Sequence, residues 1–136
     1  MTYKKLWNIL RKVIPMKTIE NIDQLKIPDN YKKTLNHMIH KLQEFPIIKD
    51  VILFGSCARE KVTNGSDIDL ALIISEPITF LEEWDIDCSI RNWDAMLPCD
   101  VIFLHEHLFT SEIKGETIIR PILQEGVRLS GLLSKR

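Results

Sequence analysis

Residues 51–70 read VILFGSCAREKVTNGSDIDL, a pattern that predicts two strands joined by a turn and a loop. The apolar residues 51–54 end at the small-residue turn Gly55-Ser56, and a second apolar run begins at Asp67 after a spacer of ten residues. Side chains of a strand alternate between its two faces, so residues two apart point the same way. We therefore expect Asp67 and Asp69 to present two carboxylates side by side, with apolar side chains packed behind them.

Two carboxylates held side by side repel each other, and each raises the pKa of the other unless a cation lies between them. Hard divalent cations such as Mg²⁺ take oxygen ligands, usually a few carboxylates together with substrate phosphates. The pair Asp67 and Asp69 therefore predicts a site for a metal ion and a nucleotide.

Asp100 begins a third predicted strand, residues 100–104, and is the candidate for a third carboxylate of this site. An isolated aspartate in such a position is most simply a strand-start or capping residue. Neighbouring strands would nevertheless bring Asp100 beside Asp67 and Asp69. Because two carboxylates of a motif precede it, we favour a role for Asp100 in metal binding.

The rest of the chain predicts an α/β fold in which helices cover a small sheet. Strands are expected at residues 49–54, 67–75 and 100–104 with a short edge strand at 127–129, and helices around 56–61, over 77–97 and over 111–125. Within 77–97 the tryptophans Trp84 and Trp93 are expected in the core rather than as platforms for stacking bases. This alternation of strands and helices is typical of a single domain.

Two further helices are predicted before the first strand. Residues 2–14 are basic and amphipathic, with apolar side chains at helical spacing, and Pro15 ends them. We interpret this segment as a helix that packs on the domain, and the alternative is a surface for a partner or a second copy. Residues 29–45 carry a stripe at spacing three and four, which consists of Tyr31, Leu35, Met38, Ile39 and Leu42.

Composition limits the class of protein. The chain has 136 residues, 45% of them hydrophobic and 27% charged, with a formal net charge of −1. These values are typical of a globular domain with its own core, and the charge gives no reason to expect a nucleic-acid partner. No apolar run reaches membrane-spanning length, and no signal peptide is evident. Three cysteines without metal-type spacing suit a reduced, cytoplasmic protein.

The motif resembles that of the minimal nucleotidyltransferases of the DNA polymerase β superfamily. Their signature joins a hydrophobic residue, Gly and then Gly or Ser through a spacer to Asp-hydrophobic-Asp or Glu, and Phe54-Gly55-Ser56 and Asp67-Ile68-Asp69 match it. Ala58-Arg59 and Ser66 are similar to the small bacterial and archaeal branch of the family.

The ending Glu125-Gly126-Val127 also resembles that branch, and the likeness covers residues 47–129. Glu60 departs from the branch, which often has Gly at this position. The resemblance implies a polymerase β-like fold, with a small mixed sheet and flanking helices. We expect the nucleotidyltransferase domain over residues 29–136 and an N-terminal helical extension over residues 1–28.

The same resemblance implies transfer of a nucleoside monophosphate, with pyrophosphate as the leaving group. It implies two Mg²⁺ ions held by Asp67 and Asp69. Asp100 is expected to ligate the catalytic ion and to help deprotonate the acceptor hydroxyl.

The triphosphate is expected at the turn between the first strand and the short helix. Gly55 lets the backbone approach, the amides and the helix N-terminus receive negative charge, and the Ser56 hydroxyl adds a hydrogen bond. Arg59, one turn into the helix, either contacts phosphate or pairs with a local acid and holds the turn.

The motif does not identify the acceptor, the molecule that receives the nucleoside monophosphate. Larger relatives carry an additional domain that holds the acceptor, so we expect a partner protein or a second copy to hold it here. The small branch is commonly paired with a helical HEPN-type protein in toxin–antitoxin modules, in which the nucleotidyltransferase is the antitoxin and transfers AMP from ATP onto its partner. The alternatives are a small-molecule acceptor, and a non-catalytic module that neutralises its partner by binding alone.

Overall fold

The two apolar runs on either side of the Gly55-Ser56 turn form neighbouring antiparallel strands of one sheet. The computed structural model describes residues 16–106 and 119–135, with the backbone alone at residues 119 and 120. The strands are β1 (Lys17–Thr18), β2 (Ile48–Phe54), β3 (Ile68–Ile74), β4 (Cys99–His105) and β5 (Val127–Arg128). The helices are α1 (Asp29–Leu42), α2 (Gly55–Ala58), α3 (Phe80–Arg91), α4 (Ile119–Glu125) and α5 (Ser130–Leu133), with a 3-10 turn at Ile22–Gln24.

The sheet is mixed, with the strand order β1-β5-β2-β3-β4. Strand β2 is antiparallel to β3 and β5, whereas β3 and β4 are parallel, as are β1 and β5. The predicted small mixed sheet with flanking helices is thus confirmed. The short strand predicted at residues 127–129 is confirmed as β5, but its predicted place at the edge of the sheet was wrong, because β1 pairs with the outer side of β5. A two-residue strand is too short to show the alternation by which strands are recognised in a sequence.

The two faces of the sheet are covered by different elements. Side chains of β2 and β3 that point to the first face join the main core with helix α1, and they are Val51, Leu53, Leu70 and Leu72. Side chains that point to the second face form a smaller cluster with α4, which consists of Ile52, Ala71, Ile73, Leu104 and Ile122. Outside the register shift between Ile48 and Asp50, the alternation fixes the face of each residue in these strands, including Asp69.

Helix α1 confirms the predicted stripe, since its five apolar residues are all buried. The segment before it also enters the core, in which Ile19, Leu25 and Ile27 are buried. The boundary at residue 28 stays a prediction. The helix predicted over residues 2–14 lies outside the described residues.

Helix α3 is shorter than the predicted span of residues 77–97. It begins after Thr79, which forms a capping box: the amide of Glu82 donates to Thr79 Oγ1 over 3.1 Å and the amide of Thr79 donates to Glu82 Oε1 over 3.0 Å. The prediction of Trp84 in the core was wrong, because its side chain is 61% exposed. Trp93 lies beyond the helix end and stacks on His37 with the ring centroids 4.9 Å apart.

The last long helix predicted, over residues 111–125, is helical from Ile119 to Glu125, and residues 111–118 lie outside the described ones. Across residues 16–106 and 119–135, no helix combines the length and the apolar character needed to cross a bilayer.

A buried ion pair fastens β5 to β2. The Asp50 side chain is fully buried, and Arg128 Nε donates to its Oδ2 over 3.0 Å. The other carboxylate oxygen accepts the amide of Val51 over 2.8 Å, beside the register shift between Ile48 and Asp50. A buried charge that is paired in this way costs far more when its partner is removed than the pair contributes as a whole.

We expect Arg128→Met to lower the free energy of unfolding by about 3–5 kcal/mol, because the Asp50 charge then loses its arginine in the interior. Urea unfolding followed by circular dichroism measures this difference. Lys17→Met is the matched control: it removes the exposed pair of Lys17 with Glu60, at 3.2 Å, and should cost less than about 1 kcal/mol. Equal losses in the two variants would contradict the role given to the buried pair.

Candidate active site

Three strands and one turn meet at the predicted carboxylates. Strand β2 ends at Phe54 and passes directly into Gly55, and across the antiparallel pair Phe54 lies opposite Asp69. On the other side of β3, the parallel register pairs Asp69 with Asp100. The structure therefore brings Asp69, Asp100 and the Gly55 turn to one place.

Two of the three predicted carboxylates, Asp69 and Asp100, belong to the second face of the sheet. Asp69 lies at alternate positions with the second-face residues Ala71 and Ile73 along β3 and therefore shares their face. Asp100 shares the face of Ile102 and Leu104 along β4 in the same way. Asp69 is half-buried, whereas Asp100 is exposed. Asp67 lies one residue before β3 begins and is also half-buried. The site thus opens at the end of the sheet where β3 and β4 start.

The electrostatics of Asp69 show the crowding of negative charge. Burial raises the pKa of the Asp69 carboxyl, and the charges of Asp100 and Asp67 raise it further, while Arg59 lowers it. A hydrogen bond to Asp100 also favours the protonated form of Asp69. A cation placed between these carboxylates would remove the cause of the shift.

Gly55 is required by the geometry of this turn. Its φ of +74° lies in the left-handed region, which glycine adopts without the strain that a side chain would bring. A Cβ atom at this position would collide with Asp69 Oδ2 and lie 3.1 Å from its Cγ. The absence of a side chain leaves room for the backbone to pass beside the Asp69 carboxylate.

The helix predicted around residues 56–61 is a single turn, Gly55–Ala58. Such a short helix has almost no macrodipole, so the expected contribution of a helix N-terminus reduces to the first few amides. Ser56 is half-buried at the start of this turn, and its carbonyl accepts the amide of Lys61 over 3.0 Å. Binding of phosphate by Gly55 and Ser56 stays a prediction.

Arg59 pairs with an acid, which is one of its two predicted alternatives. Its Nη1 donates to Glu125 Oε2 over 2.9 Å, and both side chains are partly exposed. The pair joins the end of α2 to the end of α4, beside the site. Because the Arg59 charge also lowers the pKa of Asp69, it acts on the carboxylates, and a contact with phosphate stays a prediction.

Glu60, which departs from the resembled branch, has a φ of +58°. This left-handed conformation explains why glycine is common in that branch at this position. The Glu60 side chain accepts a hydrogen bond from Lys17 Nζ over 3.2 Å. The sequence marked the position as unusual, but only the backbone shows the reason.

Cys57 is a packing residue. Its side chain is buried, and burial together with the charges of Asp69 and Asp67 raises the pKa of the thiol to about 11. A thiol with such a pKa is protonated at neutral pH and is a poor nucleophile.

In residues 16–106 and 119–135, no group of three or more His, Cys, Asp and Glu side chains converges on a common metal position. Asp69 and Asp100 come together, and Asp67 acts on Asp69 through its charge. The donor set still fits a magnesium ion, since it consists of carboxylate oxygens, the ligands that this ion prefers. Such an ion takes its remaining ligands from substrate and water.

A cavity of about 370 Å³ adjoins the site, and sequence reasoning missed it. It lies between the start of α1, the loop before Asp67 and the segment before β4, and its lining contains no Asp, Glu, His, Lys or Arg side chain. The Tyr31 hydroxyl donates to the carbonyl of Ser66 over 2.7 Å and holds two of these walls together. The cavity could accept an uncharged part of a substrate. No local pattern could have shown it, because its walls are distant in sequence.

Comparison with known proteins agrees with the motif. The profile of the family described as "Polymerase beta, Nucleotidyltransferase" matches residues 36–127, more than half of the chain. No curated protein sequence matches the chain. Among solved structures it is similar to a protein of Sulfolobus solfataricus that is itself only proposed to be a nucleotidyltransferase, with 18% identity over 67% of this chain and 96% of that chain and a TM-score of 0.39. On the strength of the family match, this chain belongs to the polymerase β nucleotidyltransferase family.

Proposed function

We propose that this chain transfers AMP from ATP, with Mg²⁺, onto a hydroxyl group of a partner protein. The observation that carries the proposal is the in-register pair of Asp69 and Asp100, which lies directly beside the Gly55 turn, in a chain of this family. Carboxylates that crowd each other favour the binding of metal ions, and such ions carry the chemistry of phosphoryl and nucleotidyl transfer.

Asp67, Asp69 and Asp100 would hold the metal ions, of which the resemblance implies two. The ions would neutralise the charge of the phosphates and lower the pKa of the acceptor hydroxyl. The contribution of the protein residues is to hold the metal ions and the triphosphate in position. Asp69 is held between β2 and β4, and the Gly55 backbone, which lies in close contact with its carboxylate, would present its amides to the triphosphate.

In the proposed step, the acceptor oxygen attacks the α-phosphorus of ATP. The bond from that phosphorus to the oxygen bridging the α and β phosphates breaks, and pyrophosphate leaves with the electron pair. Asp100, the exposed carboxylate, lies on the side from which an acceptor can approach, and it accepts the proton of the hydroxyl. Arg59 is near enough to act on the Asp69 charge and could also attract phosphate.

A protein acceptor fits a site that opens to solvent at the end of the sheet. The likeness of Ala58-Arg59 and Ser66 to the small branch supports a HEPN-type helical partner, and with it the role of antitoxin. The free thiols of Cys57, Cys88 and Cys99 support a reducing compartment, which we propose is the cytoplasm.

One observation favours a second candidate, transfer to a small molecule. The uncharged cavity beside Ser66 and Pro98 lies within the size range of small-ligand sites. Two lining residues of this cavity are near the carboxylates in the sequence, since Ser66 precedes Asp67 directly and Pro98 lies two residues before Asp100. The third candidate is a module that neutralises its partner by binding alone, and it needs none of the carboxylates.

Labelled ATP separates these candidates. The chain is incubated with Mg²⁺, a HEPN-type helical protein as the candidate partner, and ATP labelled on either the α or the γ phosphate. We expect α label on the partner and γ label only in pyrophosphate. Asp69→Asn should lower transfer at least about a hundredfold, because one ligand of the ions is lost. The same substitution at exposed Asp94 is the matched control and should leave transfer unchanged.

A γ label on the partner would show phosphorylation instead and would contradict the proposal. Label on an added hydroxyl compound, and none on protein, would favour the small-molecule acceptor. A stable complex with the partner that carries no label and that Asp69→Asn leaves unaffected would favour the third candidate, a module that acts by binding alone.

We expect Gly55→Ala to reduce transfer far more than Gly65→Ala. Both glycines have positive φ, +74° and +90°, so both variants carry a backbone cost of about 1–2 kcal/mol. Only at Gly55 does the added Cβ meet the Asp69 carboxylate, whereas nothing lies within 4 Å of a Cβ at Gly65. Unfolding curves and transfer rates of the two variants give the comparison. Equal transfer rates at equal stability would contradict the role of Gly55 in the site.

A further inference from the structure

Helix α3 presents large apolar side chains to solvent. Phe80 is 73% exposed, Leu81 76% and Trp84 61%, and the rings of Phe80 and Trp84 lie 6.3 Å apart. Residues one turn apart share a face of a helix, so these three side chains form one apolar face. The opposite side of the helix is the one that packs on the domain, through the buried Ile86 and Ile90. Clustered exposure of this kind marks an interaction site.

Acidic side chains border this apolar face. Helix α3 carries four carboxylates and one basic residue, Arg91, which gives a net charge of −3. Asp85 is adjacent to Trp84 along the chain and is exposed. Arg91 Nε already donates to Asp87 Oδ2 over 2.9 Å, so its charge is engaged within the helix. The surface is thus apolar at its centre and negative at its border.

This charge limits what can cover the surface. Two copies of α3 placed face to face would bring four carboxylates against four, and like charges disfavour that contact. An anionic lipid surface is repelled in the same way. The segment that binds this face of α3 must combine apolar side chains with basic ones.

The N-terminal segment of this chain has that chemistry. Residues 2–14 contain four basic residues and no acidic one, and their apolar residues at helical spacing are Leu6, Leu10, Val13 and Ile14. We propose that residues 2–14 of a second copy of this chain bind the acidic-bordered apolar face of α3, and that two copies exchange their segments reciprocally.

The position of Met16 favours a second copy over the same one. Met16, the first described residue, packs against the cluster on the second face of the sheet, whereas α3 packs on the first. Residues 2–14 of the same chain would therefore have to pass around the sheet from its second face to reach α3. A reciprocal exchange with a second copy needs no such path and closes as a two-fold dimer.

Sedimentation velocity of the full chain over a range of concentrations tests the proposal. The wild-type chain should form a dimer that salt weakens, because the border contacts are electrostatic. Trp84→Glu should raise the dissociation constant at least about tenfold, since a central tryptophan is lost from the contact. A synthetic peptide of residues 1–15 should compete and release monomer.

A charge exchange identifies the occupant. Asp85→Lys should weaken the dimer, and the double change Lys4→Glu and Lys5→Glu should weaken it as well, whereas the three changes together should restore it. Glu44→Lys, an equal reversal at an exposed residue after α1, is the matched control and should change nothing.

A wild-type chain that is monomeric at every concentration overturns the proposal, as does a dimer that Trp84→Glu leaves intact. A dimer that Trp84→Glu dissociates, but that neither the peptide nor the charge exchange affects, overturns it too, because another segment then covers α3. None of these outcomes depends on transfer activity, so the proposal stands or fails separately from the proposed function.

Discussion

The parallel pairing of β3 with β4 sets Asp69 beside Asp100, and the antiparallel pairing of β3 with β2 sets Asp69 beside Phe54 and the Gly55 turn. Both backbones are fixed by ladder hydrogen bonds, so the Cα atoms of the two aspartates cannot separate without breaking the sheet. Burial and the neighbouring charges raise the pKa of Asp69 as a consequence. The sheet thereby holds two carboxylates that repel each other, and a cation between them would remove the repulsion. The proposed chemistry depends on this constraint.

The surroundings of the carboxylates divide the site into sides with different chemistry. On one side, the Gly55 backbone lies against Asp69, and Arg59, paired with Glu125, adds positive charge. On the other, the uncharged cavity behind Ser66 and the exposed Asp100 face solvent. In the proposed reaction the phosphates occupy the first side and the acceptor approaches from the second. The apolar face of α3 lies away from both, since α3 packs on the first face of the sheet and the carboxylates belong to the second.

The central part of this fold could be predicted from the sequence because its signals are local. Alternation around Asp67 and Asp69 predicted the strand and its polar face, and the α1 stripe predicted its buried side. Strand β1 was missed because two residues carry no period, and its partner β5 lies far along the chain. Trp84 was assigned to the core because an apolar residue at helical spacing is usually buried, and a helix with apolar residues on two sides does not show which side packs. The Arg59–Glu125 pair and the cavity depend on contacts between distant segments.

Carbon-detected NMR titration of the Asp69 carboxyl, without and with Mg²⁺, tests the central claim most directly. Without the ion, the pKa of Asp69 should lie above its ordinary value, because burial and the charges of Asp100 and Asp67 favour the protonated form. Addition of Mg²⁺ should lower that pKa, since the ion stabilises the carboxylate. An ordinary pKa that Mg²⁺ leaves unchanged would contradict the account.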